Sequence, residues 1–239
     1  MVPSRNALTR LVVDLLSVLS NDSLVGEVLT NKKLRTRSAL LVALQELLLD
    51  RAVDTVSVPQ VVARAGVAQG TFYAHFESLP AAIQAIGGLV IGEHFRVLGH
   101  ATADAADQAD LVARTTRQTL TLFAVNPDVG RLLFDSGLPV DGLLDGFHIQ
   151  LREDIQLGVA RREFRVTDLA ATCCIFAGAV MGAGLDLFRG RLTPDAIPLV
   201  IAELLRLLNV NARKAQRLAN VAHEFVPWRA LPLSDIDQD

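Results

Sequence analysis

Cysteine is scarce in this chain. The two in 239 residues, Cys173 and Cys174, are adjacent, too few for a disulfide scaffold. Aromatic residues make up only 5%, with one Trp and one Tyr. The apolar mass is mainly Leu, Ala and Val, in long stretches without strand-type alternation, which argues against a sandwich or barrel and for an all-α fold. Charge of one sign is also missing. The formal net charge is −3, so no whole-molecule field attracts a polyanion, and any nucleic-acid surface has to be local. Neither low-complexity segments nor solenoid repeats occur. Hydrophobic residues reach 51% and mean hydropathy is +0.35, which excludes general disorder.

Signals for export and membrane insertion are weak. Arg5 and Arg10 lie near apolar residues, but Asp14 interrupts the run and no clean cleavage site follows. The longest uncharged stretch, Leu169 to Leu185, is marginal for a span and diluted by alanine and glycine. It reads as a buried helix of a cytoplasmic protein with no membrane partner.

Spacing marks the helices. Leu8, Leu11, Val12, Leu15, Leu16 and Leu19 share one face of an amphipathic helix. Packing onto its own domain is the first reading of that helix, with partner or dimer contact second. A basic stretch, Lys32, Lys33, Arg35 and Arg37, leads into a helix expected over 36–50. Ser57 and Gln60 form a Ser-x-x-Gln capping box with Pro59 in the first turn. Gly66 stops that short helix, since a residue just past a helix end often needs positive φ. A second short helix is expected over 68–76, held to the core by Phe72 and Phe76, with Gln69, Thr71, Tyr73 and His75 outside. Two short helices joined around a glycine form a helix-turn-helix.

Further helices are expected over 78–99, with Gly87-Gly88 inside, and over 110–125. Asn126-Pro127-Asp128 then signals a cap and restart. Leu138-Pro139 opens a helix to about 161, and Thr167-Asp168 caps the small-residue helix that ends near 188. Pro194 opens a helix to about 209, and a last polar helix precedes the tail. The expected organisation is an extension with an amphipathic helix (1–33), a helix-turn-helix domain (34–79), a larger helical domain (80–225) and a C-terminal tail (226–239).

The segment Val61 to Phe76, with AGV, GTFY and HF in register, resembles the DNA-binding signature of the TetR family of bacterial transcriptional regulators. Residues 37–58 match that family's first helix. The resemblance implies an all-α homodimer with an N-terminal helix-turn-helix and a C-terminal ligand and dimerisation domain. It also implies that Gln69, Gly70, Thr71, Tyr73 and His75 face DNA, the last two touching phosphates. The chain departs from the pattern at Ala68, where a capping Ser or Thr is usual, at Ala52 in place of Gly, and at Leu79 in place of a phosphate-reaching Lys.

DNA affinity needs cations near phosphates, and specificity needs side chains at base edges. Between Gly66 and Ser78 there is no Lys or Arg, so the main electrostatic role falls to an arm bearing Lys33, Arg35 and Arg37. A solvated linker is the plainer reading of that arm. Gln69 suits bidentate pairing with adenine, and Thr71 a thymine methyl or a phosphate. Ser57 and Gln60 complete the candidate DNA-binding set.

Phe95, Phe123, Phe134, Phe147 and Phe176, with His148 and Gln150 as polar contacts, are candidate pocket residues for a small-molecule effector, although each singly suits an ordinary core. Gly178 and Gly182 allow close approach of a neighbouring helix, by resemblance the same helix of a second subunit. Gly87 and Gly88 suit either a hinge between domains or tight packing. No catalytic constellation, metal site or cofactor is expected: Ser136 lacks a nucleophile-elbow frame, and Glu93, His100 and Asp104 are too sparse a ligand set. The reading is a ligand-released repressor of a double-stranded DNA operator. The alternative is a helical ligand- or partner-binding module whose helix-turn-helix no longer binds an operator.

Overall fold

The computed structural model describes residues 31–139 and 141–235. The amphipathic helix expected near the N-terminus and the last residues of the tail lie outside the described residues. Every regular element among those described is helical. In chain order they are α1 (Asn31–Asp50), α2 (Val58–Ala65), α3 (Gln69–Tyr73), α4 (Leu79–Ala101) and α5 (Gln108–Val125). There follow α6 (Pro127–Gly130), α7 (Asp141–Ala160), α8 (Leu169–Phe188), α9 (Ile197–Leu207) and α10 (Ala212–Asn220). A π-turn, Arg131–Asp135, continues from α6.

The chain forms two compact units, 1–92 with 232–239, and 93–231. The division falls inside α4, between Gly92 and Glu93. The segment after 225 is shared: it belongs to the second unit as far as Leu231 and to the first from Pro232.

In the first unit, α1 buries Leu40, Leu41, Leu44, Leu47 and Leu48, a stripe at helical spacing. It starts at Asn31 rather than near Thr36, because Lys, Leu and Arg are good helix formers and no breaker intervenes. The basic stretch is therefore the first turns of a helix, not an extended arm. Gly66 takes the left-handed conformation, φ 68° and ψ 32°, and the Val67 N–H donates to the Val62 carbonyl at 3.0 Å, closing α2. With Ala68 at its start, α3 has no side-chain cap and ends at Tyr73, short of the expected Phe76. Turn bonds from the His75 and Phe76 N–H groups to the Phe72 carbonyl, both 2.9 Å, complete the curve. Phe72 and Phe76 are buried, their ring centres 5.6 Å apart. At Gly87 a Cβ would meet nothing within 4 Å, so close packing does not require glycine there.

The second unit is organised on α5, α7, α8, α9 and α10, with Leu120, Ile155, Phe164, Ile201 and Leu205 in its core. Asp107, Asn126, Asp168 and Asn211 each cap a helix by accepting a backbone N–H. α7 begins at Asp141, beyond the Leu138-Pro139 start expected from sequence. At Gly184 a Cβ would overlap the Phe123 ring, so that glycine is a close approach of α5 to α8. By length and hydropathy α8 could cross a membrane, yet Thr172, Cys173, Phe176 and Leu187 are buried among protein side chains. Of the two adjacent cysteines, Cys173 is buried and Cys174 is exposed.

Candidate DNA-reading face and ligand cavity

The outer flank of the short helix pair is open. Gln69, Gly70 and Tyr73 are exposed, Tyr73 by 55%, while Thr71 and His75 are half-buried. Around Gly70 a Cβ would meet nothing within 4 Å, so the fold leaves that backbone accessible to a partner. Lys33 and Arg35 are exposed on α1, and Arg37 is half-buried with its guanidinium 5.2 Å from the Phe76 ring centre. The imidazole of His75 is held below its ordinary pKa, first by burial and then by the positive charges of Lys33 and Arg37, with Asp235 opposing. Residues about forty positions apart thus form one basic corner at the end of α3. A neutral imidazole there still offers one N–H donor.

Ser57 and Gln60 stand differently. The Ser57 N–H and hydroxyl both donate to Gln60 Oε1, at 2.9 and 3.0 Å, so these polar atoms are engaged in starting α2. Arg64 pairs with Glu46 at 2.7 Å and lies 3.8 Å from Asp50.

The C-terminal segment of the first unit has no precedent in the sequence reading. Gln45, fully buried on α1, brackets Leu233: its Nε2 donates to the Leu233 carbonyl at 2.7 Å and its Oε1 accepts the Leu233 N–H at 2.8 Å. The hydroxyls of Ser38 and Ser234 are 2.7 Å apart, and Asp235 pairs with Arg37. One glutamine side chain here satisfies both backbone groups of Leu233.

In the second unit a cavity of about 70 Å³ is walled by Phe95 and Leu98 of α4, Val112, Thr115, Thr116 and Thr119 of α5, Phe147, Gln150, Leu151 and Asp154 of α7, and Phe176, Ala177, Val180 and Met181 of α8. Of the candidate pocket residues, it brings together Phe95, Phe147, Gln150 and Phe176. Phe123, Phe134 and His148 are not part of this wall. Phe123 and Phe134 pack on each other at 5.2 Å, and Phe134 stacks on Phe188 at 5.9 Å, in a separate aromatic layer. Asp154 was missed, although it lies one helical turn beyond Gln150 and that spacing was the signal available. Burial pushes its carboxyl up to about 6. Behind Phe147, at 4.7 Å, sits His94, whose burial lowers its pKa to about 3 and keeps the ring neutral.

On α8, Ile175, Gly178 and Gly182 point outward: Ile175 is 57% exposed, and a Cβ at either glycine would meet nothing within 4 Å. The carboxylates once weighed as ligands have other partners. Glu93 is buried, and although burial pushes its carboxyl up, hydrogen bonds from Arg96 and Arg229 hold it below the ordinary range. Asp104 is paired with Arg114. No group of three metal-ligating side chains occurs among the described residues.

Residues 40–78 match the family model of bacterial regulatory proteins, tetR family, and residues 107–221 match that of the tetracyclin repressor-like C-terminal domain. Solved structures of similar fold include RolR bound to resorcinol, with TM-score 0.65 and 20% identity over 83% of this chain and 98% of that one. The stearoyl-CoA complex of FadR from Bacillus subtilis has TM-score 0.59 and 17% identity over 73% and 97%. NalD, the secondary repressor of a multidrug efflux pump in Pseudomonas aeruginosa, has TM-score 0.57 and 19% identity over 73% and 97%. No curated protein matches the chain by sequence.

Proposed function

The chain belongs to the TetR family of bacterial regulatory proteins, and on that premise we propose that it is a transcriptional repressor released from its operator by a small apolar or amphipathic ligand. The observation that carries this reading is the open flank of Gln69, Gly70 and Tyr73 beside the corner of Lys33, Arg37 and His75. A duplex needs those two ingredients together: cations at the phosphates and uncharged polar groups at the base edges. Gln69 reads adenine and Thr71 contacts a thymine methyl or a phosphate, Gly70 lets the backbone approach, and Tyr73 and His75 contact phosphates.

The protein acts in the cytoplasm as a homodimer. Its exposed apolar face on α8, Ile175 with Gly178 and Gly182, suits an isologous contact with the same face of a second copy. The cavity in the second unit takes the effector, and Gly87-Gly88 is a soft point in α4 that ligand binding re-aims.

One observation favours the alternative of a helical binding module without an operator. Asp235 already occupies Arg37, and α3 itself carries no cation. Selection of bound sequences from a random DNA pool, using the purified full chain, tests the two. Enrichment of a palindromic site, retained with steep salt dependence, supports the repressor; a pool that stays random while small molecules bind favours the module.

A further inference from the structure

The charge lining the cavity is one-sided: Asp154 is its single ionisable group. Its polar side chains are Thr115, Thr116, Thr119, Gln150 and Asp154, set among Phe95, Phe147 and Phe176. Donors are largely engaged within the protein. The Thr116 hydroxyl donates to the Val112 carbonyl at 2.8 Å and the Thr119 hydroxyl to the Thr115 carbonyl at 2.9 Å. The Gln150 amide donates to Asp154 Oδ1 at 3.2 Å, and the Gln108 amide reaches the same oxygen at 3.2 Å. What remains is the Thr115 hydroxyl, one N–H of Gln150, and the acceptors: the Oδ2 oxygen of Asp154, the Gln150 carbonyl oxygen and the lone pairs of the threonine hydroxyls. Neither Lys nor Arg lines the cavity.

We propose that Asp154 selects the effector, and that the effector is a small aromatic molecule carrying a hydrogen-bond donor, a hydroxyl or an amine. The inference rests on the reading of the second unit as effector domain and adds the chemical class. Three aromatic walls favour a flat apolar body. A carboxylate or phosphate would place a second negative charge beside Asp154 with no Lys or Arg in the lining to offset it. A pure hydrocarbon would cover the Asp154 carboxyl without satisfying it, which is costly for a charged group. A donor satisfies Oδ2 and stabilises the ionised form that burial disfavours.

Calorimetric titration of the full chain at pH 7.5 tests this with near-isosteric probes: 4-methylphenol, 4-methylbenzylamine, p-xylene and 4-methylbenzoate. The donor-bearing probes should bind about tenfold or more tighter than p-xylene, a preference set by one charge-assisted bond. 4-Methylbenzoate should bind most weakly. Whichever of phenol and amine is tighter identifies the donor. In Asp154→Leu the preference should vanish while p-xylene binding persists. Asp154→Asn, nearly isosteric, serves if Asp154→Leu does not fold, and should lose most of the preference. Equal binding of p-xylene and the donor probes, preferential binding of the benzoate, a preference surviving both substitutions, or no binding of any probe would overturn the proposal. DNA is absent from these titrations, so a failure of operator binding strikes the repressor reading alone.

Discussion

Asp235 is ion-paired with Arg37 across 198 residues of sequence. The carboxylate comes from the segment that Gln45 clasps through Leu233, and the guanidinium lies against Phe76, just beyond the end of α3. On the proposed function, a duplex phosphate and Asp235 compete for one cation.

Removing that rival should strengthen DNA binding. Asp235→Asn is expected to tighten DNA binding about 3- to 10-fold at low salt and to steepen the log–log salt slope by up to about 0.9, one phosphate contact. Stability should change little, since partly exposed ion pairs contribute about 0–1 kcal/mol. Fluorescence anisotropy at several salt concentrations measures this. Affinity and slope equal to the parent would show that Arg37 does not meet phosphate.

Gly70 separates fold from function. In a helix with open space around the position, Gly70→Ala should stabilise the protein by about 0.5–1 kcal/mol, read by urea unfolding. On the proposed function the added methyl obstructs the approach of a duplex, so DNA affinity should fall by about tenfold or more, as for a lost contact of about 1–3 kcal/mol. A stabilised variant with undiminished DNA binding would remove Gly70 from the interface.

The exposed cations of α1 make a quantitative forecast. Lys33→Ala combined with Arg35→Ala should reduce the salt slope by up to about 1.8, at about 0.9 per phosphate neutralised. Both side chains are exposed, so the folding midpoint should barely move. A reduced affinity with an unchanged slope would assign them another role.

Two groups of the second unit give stability opposite pH dependences. Asp154 is raised to about 6, so its ionisation opposes folding: that stability is present at low pH and lost as pH rises towards 6. Asp154→Asn should therefore stabilise the protein by up to about 3 kcal/mol at pH 8 and by almost nothing near pH 4. His94 is lowered to about 3, so the unfolded chain binds its proton more readily, and stability falls as pH drops from about 6.5 towards 3. His94→Gln should flatten that acid limb. Denaturant unfolding across pH 4–8 checks both, and a pH-independent gain for Asp154→Asn would contradict the account of its burial.

Features written in local sequence were legible. The Ser57–Gln60 start, the Gly66 stop and the Phe72/Phe76 anchor follow from spacing and backbone preference alone, and they define the helix pair. The caps at Asn126 and Asp168 were visible for the same reason. The extent of α3 was overestimated because Phe72 and Phe76 are one turn apart whether the chain between them is a full helix or a closing turn. Aromatic identity alone does not tell which layer a ring joins, so sequence groups Phe123 of α5 and Phe134 of the π-turn with rings of a different layer. Contacts such as Arg37 with Asp235 and Gln45 with Leu233 depend on tertiary docking of distant segments, and no periodicity encodes them.

The central claim is that the flank of α3 reads base edges, and a competition titration tests it most directly. Labelled DNA of the sequence enriched from the random pool is bound at physiological salt and displaced by unlabelled site or by shuffled DNA of equal length. The account predicts that the shuffled DNA competes at least about 10³-fold less well, and that Gln69→Ala narrows the gap by about 1–3 kcal/mol of discrimination. Equal competition by the two DNAs, or a gap untouched by Gln69→Ala and Thr71→Ala together, would contradict it.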